Sequence, residues 1–266
     1  KRGAGHGREE GSMDRGQARR AGFKQLAIDY NAKLEDFQAG GVAITEAARL
    51  PGRRGYRGAA PFFEMVTVGH STVIMADKRL HPALRAWAGG AAEPHWLFEL
   101  PWLLSLSGIL APYGYRLTQT HHAYLPGGGA PAAAAPAGIQ LEWLGQEGIG
   151  GLYPNSRWPN ALQGEWNPAR PDVLALAAMD RGGIVGIAGA SLDAPGMWQI
   201  GIDVLPAYQG RGLGKALVQG LAAEVESRGA VPFYYASLSN IHSQSLAVGC
   251  GFSPAWVDVS AEWAQG

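Results

Sequence analysis

The sequence predicts an α/β chain in two parts, a regular strand-and-helix half after residue 138 and a smaller α/β half before it. Three observations carry this. The chain has 266 residues and is 47% hydrophobic, which is ample for a buried core and suits one large domain or two small ones. Segment 126–138 is small, charge-free and punctuated by Pro126, Pro131 and Pro136, so a helix through it would be interrupted and it reads as a linker. From 139 onward, short apolar runs alternate with turn signals around one long amphipathic stretch.

The expected division is a tail over 1–20, disordered or left by a tag since Gly11-Ser12-Met13 resembles a cloning scar, then an α/β domain over 21–125. The linker over 126–138 and a second domain over 139–266 follow. In the first half, Phe23, Leu26, Ala27 and Tyr30 give 21–33 helical spacing. The β-rich runs 61–69 and 71–76 meet across Gly69-His70 as a hairpin. Runs 82–88 and 96–110 read as helices, with Pro82 at a first helical position, and 115–125 reads as a strand. After the linker, strands are expected over 139–144, 173–179, 184–192, 198–204, 231–236 and 252–259. Turns fall at 181–183 and 193–196. A helical or loop region starts at 147, and 240–249 is a short helix. The long helix spans 212–228, with Leu213, Leu217, Leu221 and Val225 on one face and Gly229 after its end.

Composition excludes several classes. Lys plus Arg and Asp plus Glu both number 22, so nothing global points to nucleic acid. The distribution is uneven. Residues 1–60 are basic, read as a solvated tail or as a docking surface, whereas 138–266 carry six Lys plus Arg against eleven Asp plus Glu. The one cysteine, Cys250, rules out an intrachain disulfide framework and a Cys-rich metal site and fits a reducing cytoplasm. No apolar run of about 18 residues and no signal-peptide order are present. The pair His121-His122 stands out. Neighbours on a strand point to opposite faces, so the two cannot jointly grip one metal. A structural role is expected, the alternative being that one of them reaches the cleft of the second half.

The most informative stretch is 200–217, a strand, a short loop, then Gln209-Gly210-Arg211-Gly212-Leu213-Gly214 and the long helix. The first N–H groups of a helix lack partners and lie at its positive end. Glycines remove the Cβ atoms that would block a phosphate. A Walker loop is excluded, because Ala216 follows Gly214-Lys215 and Gln209 occupies the place of its first glycine. The G-x-G-x-G spacing and the longer turn through Pro206–Tyr208 depart from a dinucleotide fingerprint. A ligand-free structural turn is the remaining alternative.

Gln209, Gly212 and Gly214, preceded by Ile-Asp-Val-Leu-Pro, resemble the Gln/Arg-x-x-Gly-x-Gly/Ala hallmark of the GNAT superfamily of acyl-CoA N-acyltransferases. A second match runs from Asn240 through Ser243 to Gly251-Phe252. The resemblance covers roughly 139–259, and the arrangement is similar to a subgroup with an added N-terminal α/β domain. It implies a mixed, mostly antiparallel sheet flanked by helices, and acetyl-CoA as cosubstrate without a metal. It also implies a gap between the fourth and fifth strands of that half, where the pantetheine arm pairs with backbone groups of Ile202, Asp203 and Val204. The pyrophosphate would sit on N–H groups from Gln209 to Gly214, through Gly210, Arg211, Gly212 and Leu213, with the Arg211 side chain adding charge. Asn240 and Ser243 would bond the arm, or Asn240 would simply cap its helix.

The implied chemistry is acetyl transfer to an amine by direct attack on the thioester. A free amine has a pKa of about 10.4 and needs a base. Gln199, Asp203 and His242 are the catalytic candidates, with Tyr234 and Tyr235 also in range. An N–H near Val204 would serve the oxyanion. Where many family members place a Tyr seven residues after the Asn, this chain has Ala247. That departure leaves a second reading, a catalytically weakened acyl-CoA-binding regulatory module. The acidic balance of 138–266 points to a cationic small-molecule or peptide amine, held by Tyr153, Trp158 or Trp166 through cation–π contact unless those rings are packing. Nucleic-acid and membrane partners are not expected, and a homodimer is compatible with the sequence.

Overall fold

The computed structural model describes residues 13–54, 61–128 and 133–264. The cloning-scar reading of Gly11-Ser12 therefore lies outside the described residues. The first helix, α1 (Arg15–Asp29), begins earlier than the spacing of 21–33 suggests. Asp14 caps it and Gln17 closes a capping box, with Gln17 N–H donating to Asp14 at 2.8 Å. Two orphan N–H groups are thereby satisfied, so 13–20 is not a loose tail.

Strand β1 (Gly41–Glu46) was not expected. The hairpin was, and it forms as β2 (Phe63–Thr67) and β3 (Ser71–Ala76). Helix α2 (His81–Ala88) starts on Pro82. The run 96–110 divides, because Pro101 begins a new helix, α3 (Leu100–Leu110), after a short 3-10 turn over Pro94–Phe98. The strand expected over 115–125 also divides, into β4 (Tyr115–Leu117) and β5 (His121–Pro126). Then come β6 (Gln140–Gly145), α4 (Gln146–Gly150), β7 (Asp172–Asp180), β8 (Gly183–Ala194) and β9 (Met197–Val204). The chain finishes with α5 (Leu213–Ser227), β10 (Val231–Ser237), α6 (Ile241–Gly249) and β11 (Phe252–Trp263).

All of these strands join one 11-stranded sheet in the order β1-β3-β2-β11-β5-β10-β9-β8-β7-β6, with β4 added to β11. Pairing is antiparallel except between β1 and β3 and between β9 and β10. The expectation of two separable halves is corrected here. β5, from before the 126–138 segment, lies hydrogen-bonded between β10 and β11, both from after it. A period-2 strand carries no mark of its partner, so the sequence could not reveal this pairing. The connection instead passes α5, where Ala133 N–H donates to Gln219 at 2.8 Å.

Helices α5 and α6 cover one face of β7–β10, burying Leu213, Leu217, Leu221 and Val225 against Leu174, Leu176 and Ile200. Each such side chain contributes roughly 1.5–3 kcal/mol. On the opposite face α1 sets Phe23 and Leu26 over Leu125, Phe233 and Trp256, uniting residues of both halves in one core. Gly22 permits that approach, since an added Cβ would stand 2.8 Å from Leu125 Cδ1. Two arginines of the basic N-terminal stretch belong to this interior rather than to a solvated tail. Arg54 is buried and bonds Asp29 at 2.5 Å, and Arg53 pairs with Glu64. Among the described residues no helix is long and apolar enough to cross a membrane.

Candidate active site

β9 and β10 run together only at one end. Met197–Ile200 pairs with Val231–Tyr234, after which the strands part. β10 continues through Tyr235–Ser237 against β5, while β9 continues to Val204 against β8 alone. Backbone groups alternate sides along a strand. Leu205 N–H donates to Val185 O at 2.9 Å, toward β8, so Val204 and Ile202 turn theirs to the gap and Asp203 turns its own to β8. Of the three backbone positions implied by the resemblance, Ile202 and Val204 therefore face the opening and Asp203 does not.

The glycine turn abuts the far end of this gap. After a 3-10 turn over Pro206–Tyr208, Gly210 (φ 73°) and Gly212 (φ 81°) take left-handed backbone, and Gly212 starts α5 without any side-chain cap. The first i→i−4 bond runs from Ala216 N–H to Gly212 O, which leaves the preceding N–H groups unpaired within the helix. A Cβ at 210 or 212 would meet nothing within 4 Å. These glycines thus answer to backbone angle and leave clear space outside the turn, as an approaching anion requires. Gln209 ties the turn to the strand by donating to Val204 O at 2.9 Å. Tyr208 braces it by donating to Asp180 at 2.6 Å, a bond that raises the phenol's pKa, and Arg211 lies 5.8 Å from the Tyr208 ring.

On the α1 face, the gap opens into a cavity of about 440 Å³. Its wall is the loop around 158–163, laid directly on the sheet. Gly189 and Gly201 are register partners, and a Cβ on either would come within 2.1 Å of Ala161 O or 1.9 Å of Asn160 O. Asp203, next along the same face, accepts from Asn160 N at 2.8 Å, Asn160 Nδ2 at 2.6 Å and Ala161 N at 2.9 Å. The loop's other end is held by Asp172, which accepts from Gln163 N at 2.9 Å and from the Tyr153 hydroxyl at 2.5 Å. Burial and that carboxylate push the Tyr153 pKa well up.

The structure therefore sorts the sequence candidates. Gln199, Tyr234 and Tyr235 line the cavity, as do Asn240 and Ser243 at the start of α6. Asn240 also caps that helix, accepting from Ser243 N–H at 3.1 Å. Asp203 lies under the wall with its carboxylate already engaged. His242 is exposed on α6 and is not part of the cavity lining. Trp158 is buried packing with Arg157 4.8 Å from its ring, and Trp166 is half exposed outside the cavity, so neither forms a cation cage there. Ala247 is fully buried. His121, from the first half, lines the cavity, whereas His122 faces a different groove beside His70 and His95. Strand alternation gave the signal that the pair would divide, but not which member would reach the cleft.

A parting of parallel strands beside an uncapped glycine turn has the form that an extended ligand with an anionic end would require. Residues 141–252 match the acetyltransferase (GNAT) family. No curated protein matches the chain. Similar solved structures include a GNAT-family protein from Novosphingobium aromaticivorans DSM 12444, 22% identical, covering 56% of this chain and 66% of that one at a TM-score of 0.42. A GCN5-related N-acetyltransferase-like protein from Streptococcus suis 89/1591 is 19% identical over 62% of this chain and 68% of its own, at 0.45. A GCN5-related N-acetyltransferase from Kribbella flavida is 20% identical over 61% and 65%, at 0.44. The chain spans about two thirds of the length of each.

Proposed function

We propose that this protein is an N-acetyltransferase that moves an acetyl group from acetyl-CoA to an amine by direct attack on the thioester. The observation that carries the reading is one continuous path, from the open N–H groups of the Gly210–Gly212 turn, along the free edge of β9, into a polar cavity. In this reading the turn and Arg211 hold the pyrophosphate. Ile202 and Val204 pair with the amide-bearing arm as a neighbouring strand would, and Asn240 and Ser243 flank it. The Val204 N–H, aimed into the gap, receives the oxyanion.

The acceptor enters from the α1 side as an ammonium, drawn by the acidic balance of residues 138–266. Side chains able to hydrogen-bond, among them Gln199, Asn240, Ser243 and the Tyr234 and Tyr235 hydroxyls, line its cavity, which favours a compact, hydrogen-bonding amine. With Ala247 buried, no side chain there protonates the departing sulfur. Burial raises the pKa of Tyr234, which keeps this cavity-lining phenol protonated near neutrality, and a thiol of ordinary pKa near ~8.5 leaves with little help.

The test is amine-dependent release of thiol from acetyl-CoA by the full chain, across a panel of small polar amines between about pH 6 and 9. Release that depends on both substrates and rises with pH supports the reading. Acetyl-CoA binding without release for any amine would favour a weakened, regulatory acyl-CoA-binding module.

A further inference from the structure

The cavity has a contributor from outside the GNAT-family segment. His121 sits on β5 between two strands of the second half, with Ser237 of β10 as its partner on one side and Asp258 of β11 on the other. Its ring stacks on Tyr235 at 4.9 Å and 13°. The Tyr235 hydroxyl donates to Asp258, which is only 8% exposed. The Gln119 side-chain amide lies 3.3 Å from His121 Nε2. Three strands thus fix the plane and depth of one imidazole, and that imidazole, with Gln119, Tyr235 and Gln199, lines the cavity opposite the wall loop.

We propose that His121 is the catalytic base of the acyl transfer, taking the proton that must leave the acceptor amine before it can attack, with Tyr235 and Asp258 as positioning residues. This inference rests on the acetyltransferase reading. The other titratable groups around the cavity are committed elsewhere. The Asp203 carboxylate accepts from Asn160 and Ala161, and Asp172 accepts from Tyr153 and Gln163. Arg170 pairs with Asp193. Tyr234 is held protonated by burial, and the buried Asp258 accepts from the Tyr235 hydroxyl and pairs with His121 in the strand ladder. Among the described residues lining the cavity, imidazole is the side chain whose ordinary pKa, near ~6.5, lets it exchange a proton at neutral pH.

The proton balance is complete with the two substrates and water. An ammonium acceptor sheds two protons in becoming an amide. The first passes to His121 and frees the lone pair. The nitrogen then attacks the carbonyl carbon, the C–N bond forms, and the C–S bond breaks with its electron pair on sulfur. The second proton leaves nitrogen as the amide forms. One of the two ends on the sulfur, and the other leaves for solvent from the imidazole, which returns to its neutral state.

The experiment is His121→Gln in the full chain, with acetyl-CoA affinity measured by calorimetry and amine-dependent thiol release followed against pH. The expected result is unchanged acetyl-CoA affinity, a fall in kcat/KM for the amine of about 100-fold at pH 7, and loss of one limb of the pH profile. Tyr235→Phe keeps the stacked ring and removes the bond to Asp258. It should shift that limb with a smaller fall, a readout that a merely structural role would not move. A wild-type pH profile in folded His121→Gln, or loss of acetyl-CoA binding along with turnover, would overturn the base assignment while the acetyltransferase reading stands. Absence of thiol release from the unaltered protein with every amine would overturn both.

Discussion

The glycine turn and the acceptor cavity adjoin, yet they are built in opposite ways. The turn is six consecutive residues, Gln209–Gly210–Arg211–Gly212–Leu213–Gly214, and works through backbone. The cavity draws on β5, β9, β10, α6 and the 158–163 loop, and works through side chains. The difference teaches where each function is vulnerable. The turn depends on a short stretch of backbone, whereas the cavity depends on the pairing of distant segments, so its side chains can be exchanged singly but the strands that carry them cannot be removed.

The sharpest way to break this comparison is to remove the first half. A fragment starting at Pro136 lacks β5, which lies between β10 and β11, and lacks α1, which covers Phe233 and Trp256. It should show no cooperative unfolding transition by circular dichroism. A folded fragment that binds acetyl-CoA would mean the cavity half is self-sufficient after all. Next in size is Gly212→Glu. Its Cβ has open space, so the fold should persist with a strain of about 1–2 kcal/mol from the left-handed backbone. The added carboxylate meets the pyrophosphate, and acetyl-CoA affinity should fall at least about 100-fold by calorimetry, or nearly 3 kcal/mol. Smaller and differently directed is Gly201→Ala, whose Cβ would stand 1.9 Å from Asn160 O. The loop must lift from the sheet at a cost of about 1–3 kcal/mol. Thermal melting should report that loss, and amine-dependent turnover should fall while acetyl-CoA affinity stays within a few-fold. If Gly201→Ala weakens acetyl-CoA and spares the amine, the two sites are not divided as described.

The same contrast explains what could be read from the sequence. Gln209, Gly212 and Gly214 fall within six consecutive residues, and a turn that leaves helix N–H groups open follows from local backbone physics, so the residues mark the turn. The hairpin at Gly69-His70 and the amphipathic face of α5 are legible for the same reason. The Asp14–Gln17 capping box was also local, and it was overlooked only because 1–20 read as a tail. The seat of β5 is a different matter, since its alternation fits any sheet edge and its partners lie more than a hundred residues away in sequence. His121 inherits that obscurity. So do Gly189 and Gly201, whose role depends on a loop lying over them, and Asp203, a catalytic candidate in the sequence whose carboxylate anchors that loop.

Cys250 follows α6 with its sulfur 3.9 Å from Lys215 O, buried, and burial pushes its thiol pKa up to about 11. Only the thiolate reacts with disulfide reagents, so at pH 8 the reactive fraction is roughly one in a thousand by the ratio of ionised to neutral thiol. The protein is in this respect its own blank. An aromatic disulfide dye added to the native protein would count thiol shed by an acyl-CoA donor and pass over the chain's one cysteine. A slow stoichiometric rise in dye colour without substrate would instead report the chain coming apart beside its glycine turn.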